Sequence, residues 1–87
     1  MTYSASATLA SAVELLAANP DVVVTHAGRR VVVNRPGGYV FVTVAVAVEA
    51  ESLVARLHEG AGHPAPVALE RATAADVVAT VLDLLPA

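Results

Sequence analysis

The sequence predicts an α+β fold in which an N-terminal helix is followed by a three-stranded antiparallel meander and two C-terminal helices. Three observations predict it. Alanine and leucine dominate both ends of the chain, where they favour helix. Valine concentrates in the middle, where it favours strand. Two clusters of turn residues, Ala27-Gly28 and Pro36-Gly37-Gly38, punctuate the valine-rich region. The 87 residues suffice for one core, and therefore for a single domain spanning residues 1–87.

From Ala5 to Ala18, Leu9, Val13 and Leu16 recur at helical spacing with Ala12 and Leu15 beside them. Ser4, Ser6 and Thr8 are the candidate caps. Asn19-Pro20 ends the helix, because proline disfavours helical geometry at the residue before it. The strands are Val22 to His26, Arg29 to Arg35 and Tyr39 to about Val46. Glu49 and Glu51 suit a second helix start by complementing its dipole. Ala50, Leu53, Val54 and Leu57 would form its apolar stripe, and Gly60 its C-cap. Residues 61–71 read as a connector, with a short fourth strand open as an alternative at residues 66–70. Thr73-x-x-Asp76 is a capping box with Asp in the acidic position. It opens a last helix whose apolar face is Val77, Val78, Val81, Leu82 and Leu85.

The faces of the meander carry the most information. With a two-residue first turn and a three-residue second one, Val22, Val24, Val31, Val33, Tyr39, Phe41 and Thr43 share a face. The other carries Val23, Thr25, Val32, Asn34, Val40, Val42 and Val44. A sheet with one wet face should alternate apolar and polar residues. The third strand does not, so both its faces seek cover, from helices or from a second copy of the chain.

Composition removes several classes of function. Hydrophobic residues make up 56% of the chain but aromatics only 3%, and no cysteine is present to form a disulfide or a thiolate metal site. All five basic residues are arginine, against eight acidic ones, and the net charge of -3 lacks the basic excess of a typical nucleic-acid binder. The Ala, Val and Arg bias without lysine points to a GC-rich bacterial genome or one of its phages. The longest apolar stretch, Val40 to Val48, is interrupted by Thr43 and is about half of the ~20 residues of a membrane-spanning helix. No Lys or Arg precedes Arg29, so the chain lacks the positive segment that opens a secretory signal and reads as cytoplasmic.

The chemistry-bearing residues are few. His58 and His63 stand five apart, which does not match the i, i+4 pair of a helical metal site. No metal and no cofactor is expected. His26, at the tip of the first hairpin, would need an orienting acid and a nucleophile to act as a general base, and no serine lies near it in sequence. Gly60-x-Gly62 lacks the preceding strand and third glycine of a dinucleotide fingerprint. Arg29, Arg30 and Arg35 place three of the five arginines within seven residues. No family motif is recognised, and no catalytic residue is assigned.

The sequence therefore reads as a non-enzymatic protein–protein interaction or adaptor module that self-associates as a homodimer. Arg29, Arg30, Arg35, Tyr39 and His26 are the candidate contacts for a protein partner, and Val40, Val42, Val44 and Val46 for self-association. The alternatives are a nucleic-acid-binding regulator gripping phosphate through Arg29, Arg30 and Arg35, or a small hydrolase or nuclease using His26. What separates them is salt-dependent nucleic-acid affinity for the first, and loss of activity in His26→Ala for the second.

Overall fold

The computed structural model describes residues 2–37, 42–59 and 65–86. Helix α1 (Ala5–Ala17) starts at Ser4, whose hydroxyl accepts a hydrogen bond from the Ala7 N–H at 3.2 Å and satisfies one orphan donor of the first turn. Beyond its end, the Asn19 side chain accepts from the Asp21 N–H at 2.9 Å, turning the chain into the sheet across Pro20. Helix α2 (Ala74–Leu84) carries the expected capping box, with the Thr73 and Asp76 side chains each accepting from the other's backbone N–H. Its dipole is thereby complemented by an acid in the first turn.

Between the helices lies one antiparallel sheet of five strands in sequential order: β1 (Val23–Ala27), β2 (Arg30–Asn34), β3 (Val42–Glu49), β4 (Ser52–Glu59) and β5 (Val67–Leu69). The class expected from the sequence, α+β with a helix at each end of an antiparallel sheet, is the observed one. The element count is not. The segment expected as the second helix is strand β4, and the strand left open at 66–70 is the fifth rather than the fourth.

The second helix fails for a specific reason. Glu49 pairs with Ser52, leaving a two-residue loop of Ala50 and Glu51 with φ of 51° and 64°. Positive φ at both central positions is the signature of a type I′ hairpin, whose usual residues are Asn and Gly. An Ala-Glu pair hides that turn. The packing explains why the strand wins: Leu53 and Ala55 are fully buried in alternation with half-buried Val54 and Arg56, a period of two that a helix could not deliver.

The first hairpin turn is Gly28-Arg29, one residue later than expected, with Ala27 opposite Arg30 and Gly28 at φ 67°. Positive φ at the first loop position alone matches a type II′ turn. The second connection is longer than the three residues expected, so Val33 meets Val44 and Val31 meets Val46. An odd slip of register exchanges the faces of a strand. Val44 and Val46 therefore join Val31 and Val33, and Thr43 and Ala45 face the other way. Residues expected as the start of the third strand (Tyr39, Val40), the glycine cap (Gly60) and His63 lie outside the described residues.

Both helices cover the same face of the sheet. Leu16 of α1 and Val77 and Val81 of α2 form one cluster with Val33, Val44, Val46 and Leu53, all fully buried. Each such side chain contributes ~1.5–3 kcal/mol relative to exposure. Every strand residue in this cluster belongs to one face. Two long-range hydrogen bonds tie the ends of the chain to this layer: the Tyr3 hydroxyl to the Ala72 carbonyl, and Arg35 Nε to the Pro86 carbonyl, each at 3.0 Å. Among the described residues, no helix is long and apolar enough to cross a membrane.

Candidate functional site

Among the described residues, the opposite face of the sheet carries no helix. Its side chains form rows across the strands, fixed by the pairing register. One row runs Ala27, Arg30, Ala47, Val54 and Ala68, and the next runs Thr25, Val32, Ala45 and Arg56. Val23 and Asn34 pair at one end, as do Thr43 and His58. Glu49 and Ser52 close the other. The centre is thus small and aliphatic, and the polar groups sit toward its ends.

Two features set this face apart from an ordinary wet one. Ala45 is only 7% exposed although it lies outside the helix-covered core, because Val32 and Arg56 flank it on the open side. Val23 on the edge strand is 42% exposed, a large aliphatic side chain facing solvent. The Arg56 guanidinium forms a two-pronged ion pair with Glu49, its second prong at 3.3 Å. In the register, the Ala47–Val54 pair lies between the two partners, so the ion pair spans it. The hydrogen bond from Arg56, more than its charge, holds the Glu49 carboxyl below its ordinary pKa and raises that of the arginine.

A concavity of about 600 Å³ opens on the helix-covered side, between α1 and the tip of the β1–β2 hairpin. Its walls include Leu9 and Val13 of α1 and Val31 and Val48 of the sheet, and His26 and Arg29 stand at the hairpin end. A smaller cleft is bordered by Tyr3, Ala50, Glu51 and Arg71, so it adjoins the three non-glycine residues that have positive φ among the described residues.

No protein-family model, curated protein or solved structure matches this chain. The candidate residues are accordingly placed by geometry alone.

The fold brings together His26, Arg29 and Arg30, which all line the 600 Å³ cleft. Arg30 does so from a strand position that alternates to the open face, opposite Ala47. Arg35 is separated from them by the length of β2, roughly 17 Å at the usual strand rise, and its Nε is occupied by the Pro86 carbonyl. Val44 and Val46 are buried beneath the helices at 0% and 1% exposure, and Val42 begins β3 half-buried. Tyr39 and Val40 are outside the described residues. Among the described residues no three acidic or histidine side chains converge as a metal site.

Sequence reasoning missed the open-face residues Ala45, Ala47, Val54 and Arg56 as a surface. The signal was present in residues 52–58, where Ser52, Val54, Arg56 and His58 alternate with Leu53, Ala55 and Leu57. The helical stripe through Leu53 and Leu57 competed with it.

Proposed function

We propose that the chain is a non-enzymatic interaction module that pairs with a second copy of itself through the uncovered face of its sheet. The observation carrying this reading is the aliphatic centre of that face, with Val32, Ala45, Ala47 and Val54 in adjacent rows. Small side chains there let a second sheet approach to the ~10 Å of face-to-face packing. Both signs of charge, on Arg30, Arg56 and Glu49, make the patch self-complementary when a two-fold axis sets one copy against the other.

Strands of five, five, eight, eight and three residues give a projected patch of roughly 500 Å² at the usual rise and spacing, the scale of a small interface beside the ~800 Å² per partner of a standard one. A phosphate-gripping regulator has less support, because Arg35 stands at the far end of β2 from Arg29 and Arg30.

The test is sedimentation of the chain and of Val54→Asp at matched concentrations. Val54 faces away from the helix-packed core, so the variant keeps its circular dichroism and melts cooperatively. The parent sediments as a dimer and the variant as a monomer. Identical behaviour of two folded proteins would remove the open face as the site of association.

A further inference from the structure

We propose that the cleft between α1 and the β1–β2 hairpin binds a medium-chain fatty acid, with the hydrocarbon tail between helix and sheet and the carboxylate at His26 and Arg29. This site lies on the helix-covered side and shares Arg30, at its border, with the proposed self-association face.

The cleft is built for a tail. Ser6, Leu9, Ala10 and Val13 recur at i, i+3, i+4 and i+7, so a single stripe of α1 overlooks it. Leu9 and Val13 supply aliphatic wall, whereas Ser6 and Ala10 are small and keep the opening wide. Val31 and Val48 form the sheet side. Leu9, Val13 and Val48 are only partly buried and pack against the main core, so the floor is a continuation of that core left open to solvent. A volume of about 600 Å³ is within the range of ~300–1,000 Å³ that small-molecule sites occupy.

The head group follows from charge. Among the described residues no acidic side chain lines the cleft, although the chain as a whole carries a net charge of -3. His26 lies in the row His26, Val31, Val46, Ala55 and Val67, on the helix-covered side and beside the wall residue Val31. Arg29 occupies the second position of the hairpin turn and is exposed. An imidazole N–H and a planar guanidinium at one end of an aliphatic trough suit a carboxylate, which a guanidinium grips with two parallel hydrogen bonds. A neutral lipid leaves both donors without a partner, and a highly charged phosphate leaves the trough unfilled.

Titration of the 87-residue chain with decanoate, followed by amide chemical shifts and held below the micelle concentration, tests the proposal. Saturable shifts centred on Gly28, Val31 and Val48 are expected, with affinity falling about fourfold for each methylene removed from the tail. Arg29→Gln, on an exposed turn, weakens binding about tenfold without altering the melting temperature. Ala10→Phe, at an exposed helix position, narrows the mouth and weakens it as well. Methyl decanoate binds less tightly than decanoate. Absence of saturable shifts, equal binding of acid and ester, or affinity unchanged in both variants would each overturn the assignment. Because decanoate binding is read at the cleft and dimerisation at the open face, failure of one leaves the other standing.

Discussion

Replacing Glu51 with glycine should stabilise the protein, and the sign of that effect separates the two ways of reading residues 49–59. Glu51 sits at φ 64° in the two-residue loop joining β3 and β4. Holding an L-residue in the left-handed region costs ~1–2 kcal/mol, and glycine pays none of it. Glycine also gains freedom in the unfolded chain, which offsets ~0.4–1 kcal/mol. Glu51 is exposed, so little packing is lost. The net gain is then ~0.5–1 kcal/mol. For a chain of this size 1 kcal/mol moves the melting temperature by ~4–8 °C, so Glu51→Gly should melt about 2–8 °C higher by circular dichroism. If residues 49–59 were instead the helix that their Leu53/Leu57 stripe suggests, the same change would destabilise by ~0.5–1 kcal/mol. A lower melting temperature would refute the hairpin. Ala50→Asn, at φ 51°, should shift the midpoint the same way by a smaller amount.

The remaining expectations concern the core, the caps and acid. Leu53→Ala removes a fully buried side chain from the centre of the cluster and should cost ~2–5 kcal/mol, read as a lower urea midpoint with little change in slope. Val44→Asp puts an unpaired charge beneath the helices and should abolish cooperative melting, in contrast to the folded Val54→Asp. Thr73→Ala loses the N-cap of α2 and should cost ~1 kcal/mol in urea unfolding. Hydrogen bonds from the Thr73 backbone and side chain hold the Asp76 carboxyl below its ordinary pKa. A depressed folded pKa stabilises above the unfolded value, near pH ~4, and the contribution disappears as pH falls through the folded value. The stability difference between the parent and Asp76→Asn should therefore be widest at neutral pH and shrink on acidification through that window. A constant difference would contradict the assigned cause.

These predictions also locate what could be read from the sequence. The two terminal helices were legible because their signals are local: Ser4 and Thr73 as caps, Asn19-Pro20 as a stop, and apolar residues at helical spacing. The first hairpin was legible because Gly28 supplies its own positive φ. The β3–β4 hairpin was not, since Ala50 and Glu51 adopt positive φ without the residues that advertise it. The faces of β3 were misassigned because its register is set by the long connection after Asn34 and by contact with the helices, neither of which is a local property. That one odd slip moved Val44 and Val46 from the expected association surface into the core, and put Ala45 and Ala47 in their place. The gathering of His26 and Arg29 with Leu9 and Val13 depends on how α1 lies across the hairpin, which no spacing in the chain encodes. The separation of Arg35 from Arg29 was latent in strand length alone.

Pairing of two copies through the uncovered sheet face has a direct readout in absolute mass, measured by light scattering after size exclusion at two concentrations of the unmodified protein. A dimer gives twice the chain mass at the higher concentration, with any decline on dilution converging on the single-chain value. A single-chain mass at both concentrations, from a protein that melts cooperatively, would contradict such pairing.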